Sequence, residues 1–366
     1  MNVTINSQLL AQELRALNKI VPTKPTFEIL SHTLVTTTDV GLEFYATDLE
    51  VSLQSSCECM VNEHGKTAVP VAKLLQMVEQ FPDGDVTLSV DKAQVLIRCG
   101  GFVSRLRVHP VNDFPQVPIV EGEQLTLDAG ELRTLIARTR HAVSANASKY
   151  VLKGALLSCY DSVDGNGAKF PTASMVATEG KRLALAFHQK SEGPPMNIVI
   201  PAKALDSLAE GSEEGVVTMT VGPRHMFFAV NGKTLTSRKL EGEFPQYKRI
   251  IPGANDKVIV ADRMLLTAAL KRVVLAAEEN GAIYASFTSG RLELSSASAG
   301  IGSAFEPLEV AYDGAPLKVL INGEAVLDFL NAADKPTIEI KLKDEKTAAL
   351  LSSGADHISV IMLMRP

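Results

Sequence analysis

Val69-Pro70-Val71-Ala72-Lys73-Leu74-Leu75 and Ile200-Pro201-Ala202-Lys203-Ala204-Leu205 decide the fold of this chain. Each is an apolar residue, a proline and then the start of a helical pattern, and the two prolines stand 131 residues apart. Proline ahead of a helix is a start signal, because its fixed φ suits entry and the first helical position needs no N–H. Ile321-Asn322 before Ala325-Val326-Leu327-Asp328-Phe329-Leu330 is a third version. Other markers recur in the same order. Thr47-Asp48-Leu49-Glu50 is echoed by Thr178-Glu179-Gly180-Lys181, again 131 residues on. Asp113-Phe114-Pro115-Gln116 returns as Glu243-Phe244-Pro245-Gln246 at an offset of 130. A period above a hundred residues means domains in series rather than a solenoid of short units.

Working outward, each unit opens with an amphipathic helix. Leu10, Leu14, Leu17 and Val21 are spaced 4, 3, 4, which lays one apolar stripe along a helix. Leu132, Ile136, Thr139 and Val143 repeat that spacing, as do Leu266, Leu270, Val273 and Ala277. Strand patterns follow in the first unit at Leu34–Thr38, Leu42–Thr47 and Val51–Cys57, with Asp39-Val40-Gly41 as a turn. A second helix over Val71–Gln80 is stopped by Phe81-Pro82-Asp83-Gly84-Asp85, and strands at Val86–Val90, Gln94–Cys99 and Phe102–Val108 close the unit. Asp161–Lys169, with Gly165-Asn166-Gly167, reads as a polar hairpin insertion in unit two. Helix, strands, helix, strands is an α+β pattern with mainly antiparallel sheets. Boundaries near Val120–Glu123 and Gly253–Lys257 give three similar helix-and-antiparallel-sheet domains at 1–122, 123–256 and 257–366.

Net charge is −6, which argues against a simple basic nucleic-acid binder but leaves local patches open. The start, Met1-Asn2-Val3-Thr4-Ile5, has no basic region followed by an apolar core, so no secretory signal is expected. No apolar run reaches the roughly 18–20 residues of a membrane span. Cys57, Cys59, Cys99 and Cys159 lack Cys-x-x-Cys or His spacing, so no zinc is expected and free thiols in a reducing cytosol fit.

The polar faces of the opening helices carry Arg15 and Lys19, then Arg138 and His141, then Lys271 and Arg272, with few acidic residues beside them. A solvated face explains any single helix. Three equivalent faces in an acidic protein point to a segregated surface for a polyanion, since phosphate contacts are local. No aromatic residues interleave with these cations, so the expected contact is with a nucleic-acid backbone and carries no sequence information.

The sequence carries no Gly-x-Gly-x-x-Gly, Walker loop, His-Glu-x-x-His or Gly-x-Ser-x-Gly. Gly100-Gly101 reads as a hairpin turn, and the seven histidines are scattered without ligand spacing. Asp48 and Glu50 share one strand face, where a solvated or ion-paired role outweighs a metal site. An enzyme with a site between domains stays open as an alternative, but the weight falls on a binding protein.

The repeats, Thr47-Asp48-Leu49-Glu50, Ala177-Thr178-Glu179-Gly180-Lys181-Arg182-Leu183-Ala184, Glu243-Phe244-Pro245-Gln246-Tyr247-Lys248-Arg249-Ile250-Ile251-Pro252 and the tail Met362-Leu363-Met364-Arg365 resemble the bacterial sliding-clamp family, the β subunits of DNA polymerase III holoenzymes. Pro22-Thr23-Lys24-Pro25-Thr26 with Ile29-Leu30 resembles the family's first loop, and the likeness spans the whole chain. The resemblance implies the DNA clamp fold, with two chains forming a closed, head-to-tail ring around duplex DNA. It implies a cytoplasmic, non-catalytic processivity factor without cofactor or metal that tethers the replicative DNA polymerase subunit. Candidate DNA contacts are Arg15, Lys19, Lys24, Lys73, Arg138, Lys149, Lys203, Lys271 and Arg272.

The resemblance also implies an apolar pocket between units two and three for a short linear motif. The motif would be carried by polymerases (translesion enzymes included), the clamp loader, mismatch-repair proteins and ligase. Matching positions are Leu152, Thr178, Gly180, Lys181, Arg182, Leu183, Pro245, Arg249, Ile250, Asn322, Val360, Met362, Leu363, Met364 and Arg365. Arg182 and Arg249 are placed to hold a peptide carbonyl or carboxylate, and the methionines adapt to several ligands. A buried terminal strand is the plainer reading of Val360–Met364, and alternation along a strand allows both. Lys181 stands where the family commonly has His, Leu363 where it has Pro, and Pro366 where an apolar residue ends the chain. Leu106, Val108, Val274 and Leu275 are the candidates for the dimer contact. The remaining alternative is a clamp paralogue that serves as a peptide-binding scaffold without a polymerase role.

Overall fold

The computed structural model describes residues 1–145, 150–163, 169–188, 194–211 and 214–365. The three opening helices are α1 (Ser7–Asn18), α3 (Ala129–Thr139) and α5 (Arg263–Val274); the helices at the proline or asparagine steps are α2 (Val71–Val78), α4 (Ala202–Gly211) and α6 (Gly323–Ala332). All twelve residues of the three apolar stripes are buried, from Leu10, Leu14 and Leu17 at 0% exposure to Val21 at 9%. At roughly 25 cal/mol per Å² of apolar surface buried, those stripes anchor each helix to its sheets. Asn6 caps α1 by accepting from the Gln8 and Leu9 amides at 2.9 and 3.3 Å. Asp262 caps α5 through Leu265 N at 2.8 Å. Asn322 caps α6 through Ala325 N at 2.8 Å. Each cap satisfies amides that have no partner within the helix.

Each opening helix is preceded by a strand that periodicity did not reveal: Asn2–Asn6, Glu123–Asp128 and Lys257–Asp262. Five residues of alternation before a cap are too short a signal to stand out. The other first-unit strands agree with the sequence within two residues at each end. Met60–Glu63 and Lys66–Pro70 are additional. Gly100-Gly101 is the hairpin turn expected, between residues Cys99 and Phe102 that pair across it. The strands Gly154–Val163 and Lys169–Thr178 pair antiparallel up to Val163 opposite Lys169, so the insertion extends a hairpin whose tip lies outside the described residues.

Compactness divides the chain differently from its repeats. One unit comprises Met1–Gly130 with Lys203–Lys239; the other comprises Glu131–Ala202 with Leu240–Pro366. The cause is strand pairing. In the first unit Lys233–Arg238 pairs antiparallel with Val51–Glu58, Leu235 opposite Leu53, and fuses strands from two sequence repeats into one eight-stranded sheet. In the second unit Arg182–His188 pairs with His357–Ile361, Leu183 opposite Val360, in a second eight-stranded sheet. Each unit also holds a smaller sheet. The five-stranded one ends on the edge strand Phe102–Arg107, and the four-stranded one on Gly302–Glu309. All the pairings described are antiparallel, as the sequence pattern implied.

Candidate functional site

The echoed tetrapeptides form the same turn twice. In the first, Thr47 Oγ1 donates to Val51 O at 3.0 Å and accepts from Leu49 N at 3.0 Å. In the second, Thr178 Oγ1 donates to Arg182 O at 2.7 Å and accepts from Gly180 N at 3.1 Å. The central residue has φ of +76° at Leu49 and +99° at Gly180. This left-handed backbone is easy for glycine and strained for leucine.

The second turn delivers Lys181, Arg182 and Leu183 to the tail strand. Met362 N donates to Lys181 O at 2.9 Å, and Met364 N to Leu320 O at 2.8 Å. Backbone pairing therefore seats the tail between the strand that starts at Arg182 and the strand that ends at Asn322. Leu183 and Val360, both 1% exposed, form a floor with Val176 and Tyr247, and Phe244 and Ile251 pack against it. The short helical turn Tyr247–Arg249 thus brings Arg249 and Ile250, both exposed, to the flank of that floor, with Pro245 half-buried before it. Met362 is 53% exposed; Leu363 is half-buried against the core of the third repeat, and Met364 is half-buried. The plainer reading of the tail holds for Val360 and Ile361, which are buried strand, whereas Met362 is exposed. Leu152, half-buried on the turn Tyr150–Lys153, accepts from Ser144 N at 3.1 Å. Asn322 is half-buried and committed to capping α6 and to donating to Asn280 O at 3.0 Å.

Arg182 does not stand free at the rim. Its guanidinium lies 2.5 Å from Asp328 on α6 and 3.2 Å from Glu179, with the side chain 16% exposed. Lys181, Arg249 and Arg365 are exposed, and none has a carboxylate partner among the described residues. Tyr247 and Asp328 were not singled out from the sequence. Tyr247 sits inside a quoted motif and was legible as a buried aromatic. Asp328 carried no signal, because only tertiary packing opposes it to Arg182.

The same compact unit holds a polar cluster around a buried arginine. Arg138 is 6% exposed and bonds Asp356 at 2.8 Å and Asp334 at 3.1 Å. This corrects the expectation that Arg138 faces a polyanion: its helix face is covered by residues 334 and 356. His357, wholly buried on the tail strand, donates from Nε2 to Arg138 O at 3.0 Å, and its ring lies tilted against Phe329 at 4.8 Å. Burial, and then the Arg138 charge, lowers its pKa to about 4. Burial, and then Arg182, lowers His141 to about 4 as well.

The other basic candidates remain at the surface but have acidic neighbours that helical periodicity could not show. Arg15 pairs with Glu79 at 2.8 Å and Lys19 with Glu210 at 2.7 Å. Arg272 pairs with Glu306. Lys203 is held by Asp48 and by Glu50, the latter at 3.2 Å, which gives those two carboxylates an ion-pairing role. The expectation of few acidic neighbours is corrected: the partners arrive from other elements. Lys24, Lys73 and Lys271 are exposed without a carboxylate partner among the described residues, and Lys73 Nζ donates to Gln76 at 3.3 Å. Lys149 lies outside the described residues. Exposed pairs such as Arg15–Glu79 and Lys19–Glu210 are worth about 0–1 kcal/mol, so a phosphate can exchange with the carboxylate at little cost; Asp48, its side chain 5% exposed, holds Lys203 in a more sheltered pair.

Of the dimer candidates, Leu275 is 75% exposed, while Leu106, Val108 and Val274 are half-buried. The two edge strands add exposed apolar residues that were not anticipated: Phe102 at 45%, Val103 at 52% and Phe305 at 60%, with Ile301 at 67% just before the second edge. No group of three or more metal-capable side chains occurs among the described residues, and none of their helices is long and apolar enough to cross a membrane. Burial raises the Cys57 thiol to about 12, which leaves it protonated and unreactive at neutral pH.

Serial α+β repeats fused by shared sheets, with basic helix faces and a tail-walled apolar floor, define a clamp-type binding protein. Family models agree across the chain: DNA polymerase III beta subunit N-terminal domain over 1–118, central domain over 126–246 and C-terminal domain over 248–365. The chain belongs to the DNA polymerase III beta subunit family. It is 30% identical over 367 residues to the beta sliding clamp of Caulobacter vibrioides, covering 97% of each chain. It is 30% identical over 375 residues to that of Pseudomonas putida, covering all of both. A crystal structure of the DNA polymerase sliding clamp from Pseudomonas aeruginosa superposes with a TM-score of 0.92 at 28% identity, with full coverage of both chains. A second structure of that organism's clamp, bound to griselimycin, gives 0.91 at 28% identity with full coverage of both.

Proposed function

We propose that this chain is a DNA sliding clamp: a homodimeric ring that encircles duplex DNA, tethers the replicative DNA polymerase and docks further partners at the tail-walled site. The observation that carries the reading is the repetition itself. Three buried stripes of one spacing set three equivalent helices, and the first and third present Lys or Arg opposite the stripe. In this reading the domains are 1–122, 123–256 and 257–366. The DNA-facing residues are Arg15, Lys19, Lys24, Lys73, Lys271 and Arg272, and Lys149 joins them from its place in the sequence. Lys203 contributes only when phosphate displaces Asp48 and Glu50. Contacts that are half-neutralised by exchangeable carboxylates hold a polyanion loosely, which suits sliding.

Ring closure pairs the open edge Phe102–Arg107 of one copy with Gly302–Glu309 of another. An unpaired strand edge is a template for such addition, and Phe102, Val103, Leu106, Val108, Phe305, Val274 and Leu275 supply apolar surface around it. The protein acts in the cytoplasm as a non-catalytic subunit of the polymerase holoenzyme. Its docking site takes short linear motifs of polymerases, the clamp loader, mismatch-repair proteins and ligase onto the Leu183–Val360–Tyr247 floor, with Met362 and Met364 as the adaptable wall.

The test is retention on circular nicked DNA after loading. A topological link survives on the circle and is lost on linearisation; equal retention on both forms would overturn the reading. For the docking site, Met362→Ala and Met364→Ala each weaken peptide binding while sedimentation still reports the dimer. Unchanged peptide affinity in both would refute the assignment.

A further inference from the structure

We propose that a cavity inside the third repeat is a binding site for small nonpolar molecules, and that its occupant braces the strand His357–Ile361. The inference stands apart from DNA and peptide binding. The cavity measures about 30 Å³ and lies between α5, α6, the four-stranded sheet and the strands Thr337–Leu342, Ala349–Ser352 and His357–Ile361 of the second eight-stranded sheet. Leu266 and Leu270 reach it from α5, Val326 from α6, Ala285 and Leu294 from the smaller sheet, and Ile361 from the tail. Its lining is hydrocarbon throughout, and every lining residue is buried except the half-buried Ile321. About 10–15 Å³ already admits one water, but a water needs polar partners and finds none here. An apolar hole of this kind stays dry and takes a nonpolar guest instead, such as a xenon atom or a short hydrocarbon.

Comparison of the repeats explains why the third one carries the hole. Pro70, Pro201 and Asn322 are the last strand residues ahead of α2, α4 and α6, and they align the repeats. Counting back from them by the same step gives Thr67, Ile198 and Val319. Strand pairing sets Val35 between Thr67 and Phe44 in the first repeat. It sets Leu157 between Ile198 and Met175 in the second. In the third it sets Ala285 between Val319 and Leu294. All of these residues are buried. The middle position is thus valine, leucine and then alanine, and the third repeat has the shortest side chain at the centre of its core. Packed interiors keep few voids larger than a water, and a shortened side chain leaves one where its neighbours relax only in part. The tail strand forms one wall. Alternation sends Ile361 to the cavity and Val360 to the opposite face of the sheet, and Ile361 pairs with Ala349, another lining residue. A guest restores missing dispersion contacts to two neighbouring strands at once.

The experiment uses the full-length protein under xenon, with helium at the same pressure as the control. Xenon NMR gives a saturable shift for the parent. At the pressure that half-fills the cavity, hydrogen exchange in Ala349–Ser352 and His357–Ile361 slows about twofold, because the guest binds only the closed state. Exchange in Lys233–Arg238, on the other compact unit, stays the same under both gases. Ala285→Leu installs the second repeat's residue, fills the hole and removes the shift and the slowing. Ala285→Val installs the first repeat's residue and weakens both; it decides the matter where leucine overpacks the core and the protein does not fold. A parent without a saturable shift, or a shift undiminished in the folded variants, would overturn the site. A saturable shift with unchanged exchange in His357–Ile361 would overturn the bracing of the tail strand.

Discussion

Arg138 is the position where two physical pictures part most sharply, and Arg138→Met separates them. If the side chain faced DNA, its removal would weaken retention on DNA and reduce its salt dependence, with stability untouched. Its burial at 6% and its bonds to Asp356 at 2.8 Å and Asp334 at 3.1 Å predict the opposite. Hydrogen bonds to charged groups contribute about 1.5–3 kcal/mol each. The two carboxylates are 38% and 52% exposed, so water recovers part of that loss when the partner goes. Methionine keeps most of the aliphatic stem, so little packing is lost. The net cost is about 2–4 kcal/mol, below the sum of the two bonds and near the range for breaking a buried ion pair. The assay is urea unfolding followed by far-UV circular dichroism, beside DNA retention. Arg15→Met is the control: its pair with Glu79 is exposed, and the change should stay within about 0.5 kcal/mol. A midpoint for Arg138→Met equal to that of the control, together with weaker DNA retention, would refute the structural role.

Three further outcomes follow from the same geometry. His141 and His357 have pKa values depressed to about 4, so the unfolded chain binds more protons than the folded one between pH 6.5 and 4. Their stabilisation is complete above pH 6.5 and is lost as pH falls through 4; a urea midpoint that stays flat from pH 7 to 4.5 would contradict this. Leu49→Gly relieves a left-handed leucine costing about 1–2 kcal/mol and adds back about 0.5–1 kcal/mol of glycine entropy. The melting temperature should therefore rise slightly, and a fall would mean that the 41% exposed side chain packs more than its exposure suggests. Asp48→Ala removes an acceptor of the Glu50 and Val51 amides at 2.9 and 2.8 Å as well as the Lys203 partner, and should destabilise by about 1–2 kcal/mol. Lys203→Gln, half exposed, should cost less than half as much in the same melt; equal losses would refute the ranking.

Much of the fold was legible because it repeats. A 4-3-4 stripe is a local property of the chain, and all twelve of its residues are buried. The same holds for the floor of the candidate site, since Leu183, Val360 and Tyr247 lie in apolar motifs whose neighbours are fixed by strand alternation. The opening strands escaped notice because five residues of alternation are weak evidence beside a helix. Partners of charged residues escaped for a different reason. Glu79, Glu210, Glu306, Asp334 and Asp356 lie far in sequence from the cations they meet, and no period on one helix predicts a neighbour from another element.

By itself the sequence determined the number of repeats, the helix faces that become core, the antiparallel character of the sheets and the apolar nature of the tail, because each follows from side-chain periodicity within one segment. Tertiary structure alone decided which strands fuse the repeats and which cations are spent. Pairing of Lys233–Arg238 with Val51–Glu58, and of His357–Ile361 with Arg182–His188, splits the central repeat between two compact units. Backbone hydrogen bonds carry no side-chain code, so only packing selects those partners. Burial likewise turned Arg138 from a surface cation into a structural one and left Lys181 exposed, since the cost of desolvating a charge depends on what the fold brings to meet it.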